Sequence, residues 1–287
     1  MRWLRAVEQL RTGGRPGVLV TLTSVRGHAP REAGAKMVVG ATQTWDTIGG
    51  GNLEAVAVER ARSMLAEGRT APETFTSSLS DKVPFQHGMQ CCGGEVSVLL
   101  EPLRVAPVVA IFGMGHVGHE LARILARHDL DLHLVDSRPD ALAPDALAPL
   151  ADADARVHPH PVPVLPELVL GELPAGAHVL VMTHDHAEDA AILDAALRTE
   201  GLGSIGLIGS RAKWARLRRR LLTEGGLSDG DVARVTTPIG LPQLAGKEPA
   251  TIAVGVAADL LVRFTTTSVE APVGAGTPVD EKRGIDV

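Results

Sequence analysis

Residues 108–125 read "VVAIFGMGHVGHELARIL", and this stretch decides the fold. An apolar run comes first, then the pattern Gly113-x-Gly115-x-x-Gly118, then a segment with helical periodicity. In a Rossmann fingerprint the first glycine permits a tight turn, the second lets the backbone approach a pyrophosphate, and the third lets the helix pack closely on the strand. The helix N-terminus adds N–H groups that bind anions. The stretch therefore predicts a Rossmann-like fold with a binding loop at these three glycines.

The next predicted strand ends at Asp136, 18 positions after Gly118 (136 − 118). An acid at this point binds the ribose of a dinucleotide in many Rossmann proteins, and a nearby arginine such as Arg138 accommodates a 2′-phosphate instead. The fold can also be kept while the ligand is not NAD(P), or while no cofactor binds. The pattern therefore makes Asp136 a candidate cofactor-binding residue and leaves NAD(P) an open possibility.

Strand and helix patterns alternate through the rest of the C-terminal half, which predicts a doubly wound parallel sheet. The residues before it include both cysteines and a run of three glycines, with strands on either side of a strong amphipathic helix. We predict an α/β protein with a small N-terminal α/β domain at 1–104 and a Rossmann-like domain at 105–264. Residues 265–287 are rich in Thr, Pro, Gly and charge, and they predict a disordered tail.

Two further loops follow predicted strands of the parallel sheet, where the ligand crevice of such a fold lies. His184 and His186 in "THDHAED" are possible metal ligands, but a capping role for Asp185 at the next helix is the better interpretation. Ser210 and Arg211 in "GSRAKW" stand at a helix start, where they could bind an anion. The alternative is that Ser210 caps the helix and the cations are solvated.

Two loops of the N-terminal part carry candidate ligand-binding residues. Arg26, His28 and Arg31 lie in "RGHAPR", directly after a predicted strand. Gly49–Gly51 lie in "TIGGGNLE", ahead of a predicted helix. Consecutive glycines expose backbone N–H groups and allow close approach, which suits a phosphate or a flat ligand. The alternative is an ordinary glycine turn with exposed arginines.

The two cysteines of the chain, Cys91 and Cys92, are adjacent in "QCCGG". Adjacent Cα atoms are about 3.8 Å apart, whereas unstrained disulfides span about 4.4–6.8 Å, so a structural disulfide between them is disfavoured. Thiolates are soft metal ligands and good nucleophiles. The pair is therefore a candidate for ligation or sulfur chemistry, and a buried apolar role is the alternative.

The net charge of −6 argues against nucleic-acid binding, which needs a basic surface. The sequence has no signal-peptide pattern and no apolar run of about 18 residues or more, so we expect no membrane association. Two cysteines in 287 residues do not form a secreted disulfide framework. We therefore expect a cytoplasmic protein.

Taken together, the motifs resemble those of the XdhC/CoxI family, the xanthine dehydrogenase accessory proteins. The resemblance covers about residues 1–264 and follows the family's order. It is carried by "RGHAPREAGAKM", "TIGGGNLE", "QCCGGEVSVLLEP", "IFGMGHVGHELARIL", "VDSRPD", "MTHDHAEDAAIL" and "GLIGSRAKWARL". One departure is "PIGLPQLAGKEPATIA", where Pro242 and Gln243 replace the glycine-rich turn usual in the family.

The resemblance implies a chaperone without catalytic residues. Such proteins bind the molybdenum cofactor, protect it while a cysteine desulfurase supplies the sulfido ligand, insert it into xanthine dehydrogenase, and tend to form homodimers. It implies that Arg26, Glu54 and the three glycines hold the molybdopterin, with Cys91 or Cys92 contacting molybdenum or the incoming sulfur.

Two other functions compete with this one. An NAD(P)-dependent oxidoreductase would use the Rossmann domain with His184 or His116 as acid or base, but no residue stands out for hydride chemistry. A redox-sensing nucleotide-binding regulator would use the cysteine pair as its switch.

Overall fold

The structure is a computed structural model that describes residues 1–79, 94–244 and 246–267. Its first sheet is antiparallel with the order β3-β2-β1-β5-β4. The strands are β1 (Gly17–Arg26), β2 (Lys36–Gly40), β3 (Thr44–Asp46), β4 (Glu73–Ser78) and β5 (Glu95–Leu103). The short edge strands β3 and β4 were not predicted from the sequence.

One helix covers each face of this sheet. On α2 (Gly51–Ala66) the buried residues Leu53, Ala57, Ala61 and Met64 recur at helical spacing and pack on one face. On α1 (Arg2–Thr12) the buried residues Ala6 and Leu10 pack with Val38 on the other face. The burial of alternate strand residues on opposite faces places the helices in this way.

The second sheet is parallel throughout, with the order β11-β10-β9-β6-β7-β8. Its strands are β6 (Val108–Phe112), β7 (Asp131–Asp136), β8 (Arg156–Pro161), β9 (His178–Val181), β10 (Ser204–Leu207) and β11 (Val235–Thr236). Counted from β6, this is the Rossmann strand order 3-2-1-4-5-6. The strand order reverses between β6 and β9, so the ligand crevice of the fold is expected beside their carboxyl ends.

Helices cover both faces of the parallel sheet. They are α3 (His116–Leu125), α4 (Pro144–Leu147), α5 (His186–Arg198), α6 (Arg211–Thr223), α7 (Asp229–Val232) and α8 (Pro249–Thr267), with short 3₁₀ segments at Pro139–Leu142, Ala148–Leu150 and Pro166–Glu172. One apolar layer joins α3 and α8 to the sheet, and the other joins α5 and α6 to the opposite face.

The predicted α/β class with a Rossmann-like parallel sheet is confirmed. The boundary near residue 104 stays a prediction, and it falls between β5 and β6. Helix α8 extends to Thr267, three residues past the predicted end at 264, and residues 268–287 of the predicted tail lie outside the described residues. No described helix is both long and apolar enough to cross a membrane.

Candidate functional site

Three of the sequence-predicted segments meet at one end of the antiparallel sheet. A Cβ placed on Gly49 would lie 3.1 Å from the Cβ of Pro30, inside the 26–31 loop. A Cβ placed on Gly94 would lie 2.3 Å from the carbonyl oxygen of His28 and 2.8 Å from that of Arg26. The loop with Arg26, His28 and Arg31 is therefore packed against the triple-glycine loop (residues 47–51) and against the last glycine of "CCGG". Cys91 and Cys92 themselves lie outside the described residues.

Glu54 organises the triple-glycine loop from the first turn of α2. Its Oε2 accepts hydrogen bonds from the amides of Ile48 at 3.2 Å and Gly50 at 3.1 Å, and from the hydroxyl of Thr47. The amide of Gly49 in turn donates to Thr47 Oγ1 at 3.1 Å. The chain's own carboxylate thus accepts the amides of the loop that precedes this helix.

The glycines themselves are required by the backbone here. Gly49, Gly50 and Gly51 have φ values of 129°, 73° and 61°, a left-handed run that residues with a Cβ rarely adopt. This conformation turns the amides of Ile48 and Gly50 toward Glu54. The loop is therefore prearranged before any ligand binds.

A cavity of about 670 Å³ runs along the solvent-facing side of α2 from this loop. Its walls are Thr44, Gly51, Glu54, Ala55, Val58, Glu59 and Arg62. The wall residues that come from α2 recur every three or four positions. They therefore lie along one side of the helix. The cavity opens widely to solvent, and an aliphatic wall lies between its charged groups.

The second candidate region is the Rossmann crevice, formed by the loops after β6, β7, β9 and β10. Gly113 has φ 107°, and a Cβ on it would lie 2.4 Å from the carbonyl oxygen of Met182. A Cβ on Gly118 would lie 2.3 Å from the carbonyl oxygen of Gly113. Around Gly115, by contrast, no described heavy atom lies within 4 Å of a Cβ position. Packing requires the first and third glycines, whereas the second presents an open backbone face.

Asp136 is buried and its carboxylate is fully engaged by the chain itself. Oδ2 accepts from the Met114 amide at 2.6 Å and from Arg138 Nη2 at 2.8 Å. Oδ1 accepts from the Arg138 amide at 2.8 Å and from Arg138 Nε at 2.9 Å. Burial acts to raise the pKa of Asp136, but the hydrogen bonds from Arg138 and Met114 outweigh it and hold the pKa below its usual value.

Because a carboxylate offers about four acceptor positions, a ribose hydroxyl at Asp136 would have to displace one of these donors. Arg138 is likewise occupied by Asp136, so a 2′-phosphate would have to compete for it. The ribose-binding role of Asp136 stays a prediction, and the geometry ties this residue to the glycine loop.

Two titratable groups beside Asp136 were missed in the sequence. Ser137 Oγ donates to Glu188 Oε2 at 3.0 Å, and burial raises the pKa of Glu188 despite that hydrogen bond. Burial also lowers the pKa of His119, on the first turn of α3. The acidic residues in the first turn of α5 were the available signal for Glu188, since acids at that position favour the helix dipole.

The loops after β9 and β10 are joined by a buried ion pair. Asp189 is fully buried, accepts the hydroxyl of Thr183 at 2.8 Å, and lies 2.5 Å from Lys213 Nζ. Lys213 also donates to the carbonyl of Ile208 at 3.0 Å. This ion pair joins the first turn of α5 to the first turn of α6, beside the Rossmann crevice.

The remaining predicted residues of these loops have capping roles. Asp185 accepts the Ala187 amide as the N-cap of α5, and Ser210 accepts the Lys213 amide at 3.2 Å as the N-cap of α6. Arg211 is exposed at the start of α6. Within the described ranges, no group of three or more His, Cys, Asp or Glu side chains could hold a metal ion.

Comparison with known families adds to this geometry. Residues 109–260 match the family model of the XdhC Rossmann domain, and residues 10–76 match that of the XdhC and CoxI family. The chain belongs to the XdhC/CoxI family. The resemblance found in the sequence motifs is thereby confirmed.

Among curated relatives of this XdhC/CoxI chain are two proteins of Escherichia coli K12. The uncharacterized protein YqeB is 26% identical over 246 residues, which is 86% of this chain but 43% of YqeB. The chain thus matches less than half of that relative's length. The molybdenum cofactor insertion chaperone PaoD is 27% identical over 280 residues, covering 89% of this chain and 85% of PaoD.

A crystal structure described as a xanthine dehydrogenase from Bacillus halodurans also aligns with the chain. It shares 20% identity and a TM-score of 0.45, with 93% of this chain and 96% of the other chain covered.

Proposed function

We propose that this chain is a molybdenum cofactor-binding chaperone, an accessory factor rather than a turnover enzyme. The observation that carries the proposal is the similarity to PaoD along most of both chains. The meeting of the 26–31 loop, the triple-glycine loop and Gly94 supports it, because family motifs far apart in sequence form one surface region.

In the finer form of the proposal, the chain protects the cofactor during sulfuration and then inserts it into xanthine dehydrogenase. A cysteine desulfurase would be the sulfur donor, and the chain would act in the cytoplasm as a homodimer. Cys91 or Cys92 would contact molybdenum or carry the sulfur, since thiolates are soft ligands and form reversible sulfur adducts.

The test is equilibrium binding of isolated molybdenum cofactor to the full chain, followed by transfer to cofactor-free xanthine dehydrogenase. We expect the wild-type chain to retain the cofactor and to activate the enzyme. The Cys91→Ala/Cys92→Ala double variant should bind at least about 10-fold more weakly, as for loss of one strong ligand contact. A wild-type chain that retains no cofactor would refute the chaperone proposal, and a double variant that binds and activates normally would refute the thiol role alone.

An NAD(P)-dependent oxidoreductase is the second candidate, favoured by the open backbone face at Gly115. The engaged carboxylate of Asp136 weighs against it, because the usual ribose contact is already satisfied internally. Oxidation of NAD(P)H with small carbonyl compounds by the purified chain would support this candidate over the chaperone.

A further inference from the structure

The triple-glycine loop is poorly suited to a phosphate. Its amides at Ile48 and Gly50 already donate to Glu54, and the Gly49 amide donates to Thr47. A phosphate at the same place would have to approach the Glu54 carboxylate, and two like charges about 4 Å apart repel strongly near a protein surface. The loop and its cavity therefore favour a ligand group that carries no negative charge.

The acceptor that remains is the other oxygen of Glu54. All three recorded hydrogen bonds of this carboxylate go to Oε2. For Oε1 no hydrogen bond is recorded among the described residues, while Glu54 forms part of the wall of the 670 Å³ cavity. A carboxylate oxygen accepts hydrogen bonds, so an N–H or O–H group of a ligand fits at this position.

The rest of the cavity agrees with a flat, donor-bearing ligand. Ala55 and Val58 supply an aliphatic wall next to Glu54. The charged wall residues are Glu54, Glu59 and Arg62, two carboxylates against one guanidinium. The Glu54 carboxylate at the loop end of this wall disfavours an anionic group beside it and favours a neutral ring with N–H donors along its edge.

We infer that Glu54 recognises the 2-amino-4-oxo-pyrimidine edge of a pterin, with the 2-amino group donating to Oε1 of the carboxylate. This inference rests on the proposed function and assigns the pterin end of the cofactor, instead of its phosphate, to the triple-glycine loop. A guanine base presents the same edge, so the experiment must distinguish binding of a pterin from binding of a guanine nucleotide.

Glu54→Gln is the diagnostic variant. The three donors at Thr47, Ile48 and Gly50 select the amide oxygen of the glutamine, which keeps the loop folded. The amide NH₂ then replaces Oε1 and offers a donor where the ligand needs an acceptor. Glu67→Gln is the matched control, since it removes the same charge at the C-terminal end of α2, outside the cavity.

The experiment measures binding of free pterin, of lumazine, which carries an oxo group in place of the 2-amino group, and of GMP to the full-length proteins. We expect wild type to bind pterin more tightly than lumazine, Glu54→Gln to bind pterin at least about 10-fold more weakly, and Glu67→Gln to stay within about twofold. An unchanged thermal midpoint of Glu54→Gln shows that the loop is intact.

Equal pterin affinity of wild type and Glu54→Gln, or no pterin binding by wild type, would overturn the assignment. Tighter binding of GMP than of pterin would keep the recognised edge but overturn the pterin as its source. Binding of the whole molybdenum cofactor by wild type, measured in parallel, separates failure of this site from failure of the chaperone function.

Discussion

Gly113 and Gly115 belong to one fingerprint but stand in opposite surroundings. The position of a Cβ at Gly113 is filled by backbone of the loop after β9, whereas at Gly115 it meets open space. A methyl group added at Gly113 should therefore clash with backbone, whereas one added at Gly115 should project into open space. One glycine serves the fold and the other is available to a ligand.

We predict that Gly113→Ala lowers the free energy of unfolding by about 3 kcal/mol or more, because a Cβ 2.4 Å from a carbonyl oxygen adds to the cost of a left-handed φ. Gly115→Ala should cost at most about 1 kcal/mol, the usual range for an N-cap change. Urea unfolding of both variants measures this. Equal destabilisation by the two would contradict the division of roles.

At the scale of elements, β7 and β8 carry a stack of three imidazoles. The ring of His133 lies 4.6 Å from that of His158 and 5.1 Å from that of His160, nearly parallel to both. Burial, reinforced by these two neighbours, lowers the pKa of His133 from 6.5 to about 4, while Asp131 opposes the shift. The stack therefore favours the neutral form of His133.

This stack gives the fold a defined pH dependence. The folded-state pKa of His133 lies below its unfolded value, so the unfolded chain binds more protons between about pH 6.5 and 4. The contribution to stability is complete above pH 6.5 and is lost as the pH falls toward 4. Allowing for solvent screening of a half-buried ring, we expect a loss of about 1–2 kcal/mol.

Urea unfolding of wild type and His133→Phe at pH 7, 5.5 and 4.5 checks this prediction. Phenylalanine keeps a flat ring in the stack but takes up no proton, so its stability should fall less across the series. Burial also lowers the pKa of His160, which leaves part of the slope in the variant. An identical slope in both proteins would argue against a role for His133.

Elements with strong local patterns could be predicted from the sequence. The glycine pattern between the apolar β6 and the periodic α3 was sufficient for the Rossmann unit, since turn, strand and helix signals agree there. Strand β4, "ETFTSS", was missed because its residues alternate between exposed and half-buried, and its pairing with β5 depends on distant residues. The edge strand β3 was missed for another reason: with three residues it is too short to show a strand pattern, although it pairs with the nearby β2.

The candidate site was predicted only in part. Arg26, His28, Arg31 and Gly49–Gly51 were chosen as residues of exposed loops, and the fold brings those loops together. The contacts of Glu54 with Ile48 and Gly50 depend on how the glycine loop curls back on α2, which spacing does not reveal. For that reason the sequence left a phosphate and a flat ligand as alternatives at this loop and did not indicate the carboxylate contact.

At the scale of the whole molecule, α1 is tied to the parallel sheet by Arg156. This side chain donates to the carbonyl of Arg11 at 3.0 Å and to Thr12 Oγ1 at 3.2 Å, and its Nη2 donates to Asp131 Oδ2 at 2.8 Å. Arg156 and Asp131 are the first residues of β8 and β7. The tie therefore lies at the amino ends of the strands, and the Rossmann crevice lies at the carboxyl ends, about 20 Å away along a six-residue strand.

We predict that Arg156→Ala loosens α1 from the parallel sheet. The change removes all three hydrogen bonds and leaves the nearly buried Asp131 with the His158 ring, at 3.3 Å, as its remaining side-chain partner among the described residues. Since the arginine is partly exposed, we expect a loss of about 1–2 kcal/mol in the free energy of unfolding. Hydrogen exchange should become faster at the amides of residues 2–12 than in wild type.

Arg11→Ala is the matched control for this tie. It removes the ion pair between Arg11 and Asp129, whose side chains are both largely exposed, but it keeps the Arg11 carbonyl that Arg156 binds. Exposed pairs of this kind contribute at most about 1 kcal/mol, so exchange in α1 should change little. If Arg11→Ala accelerates exchange as much as Arg156→Ala does, the surface pair and not the Arg156 tie holds α1 to the sheet.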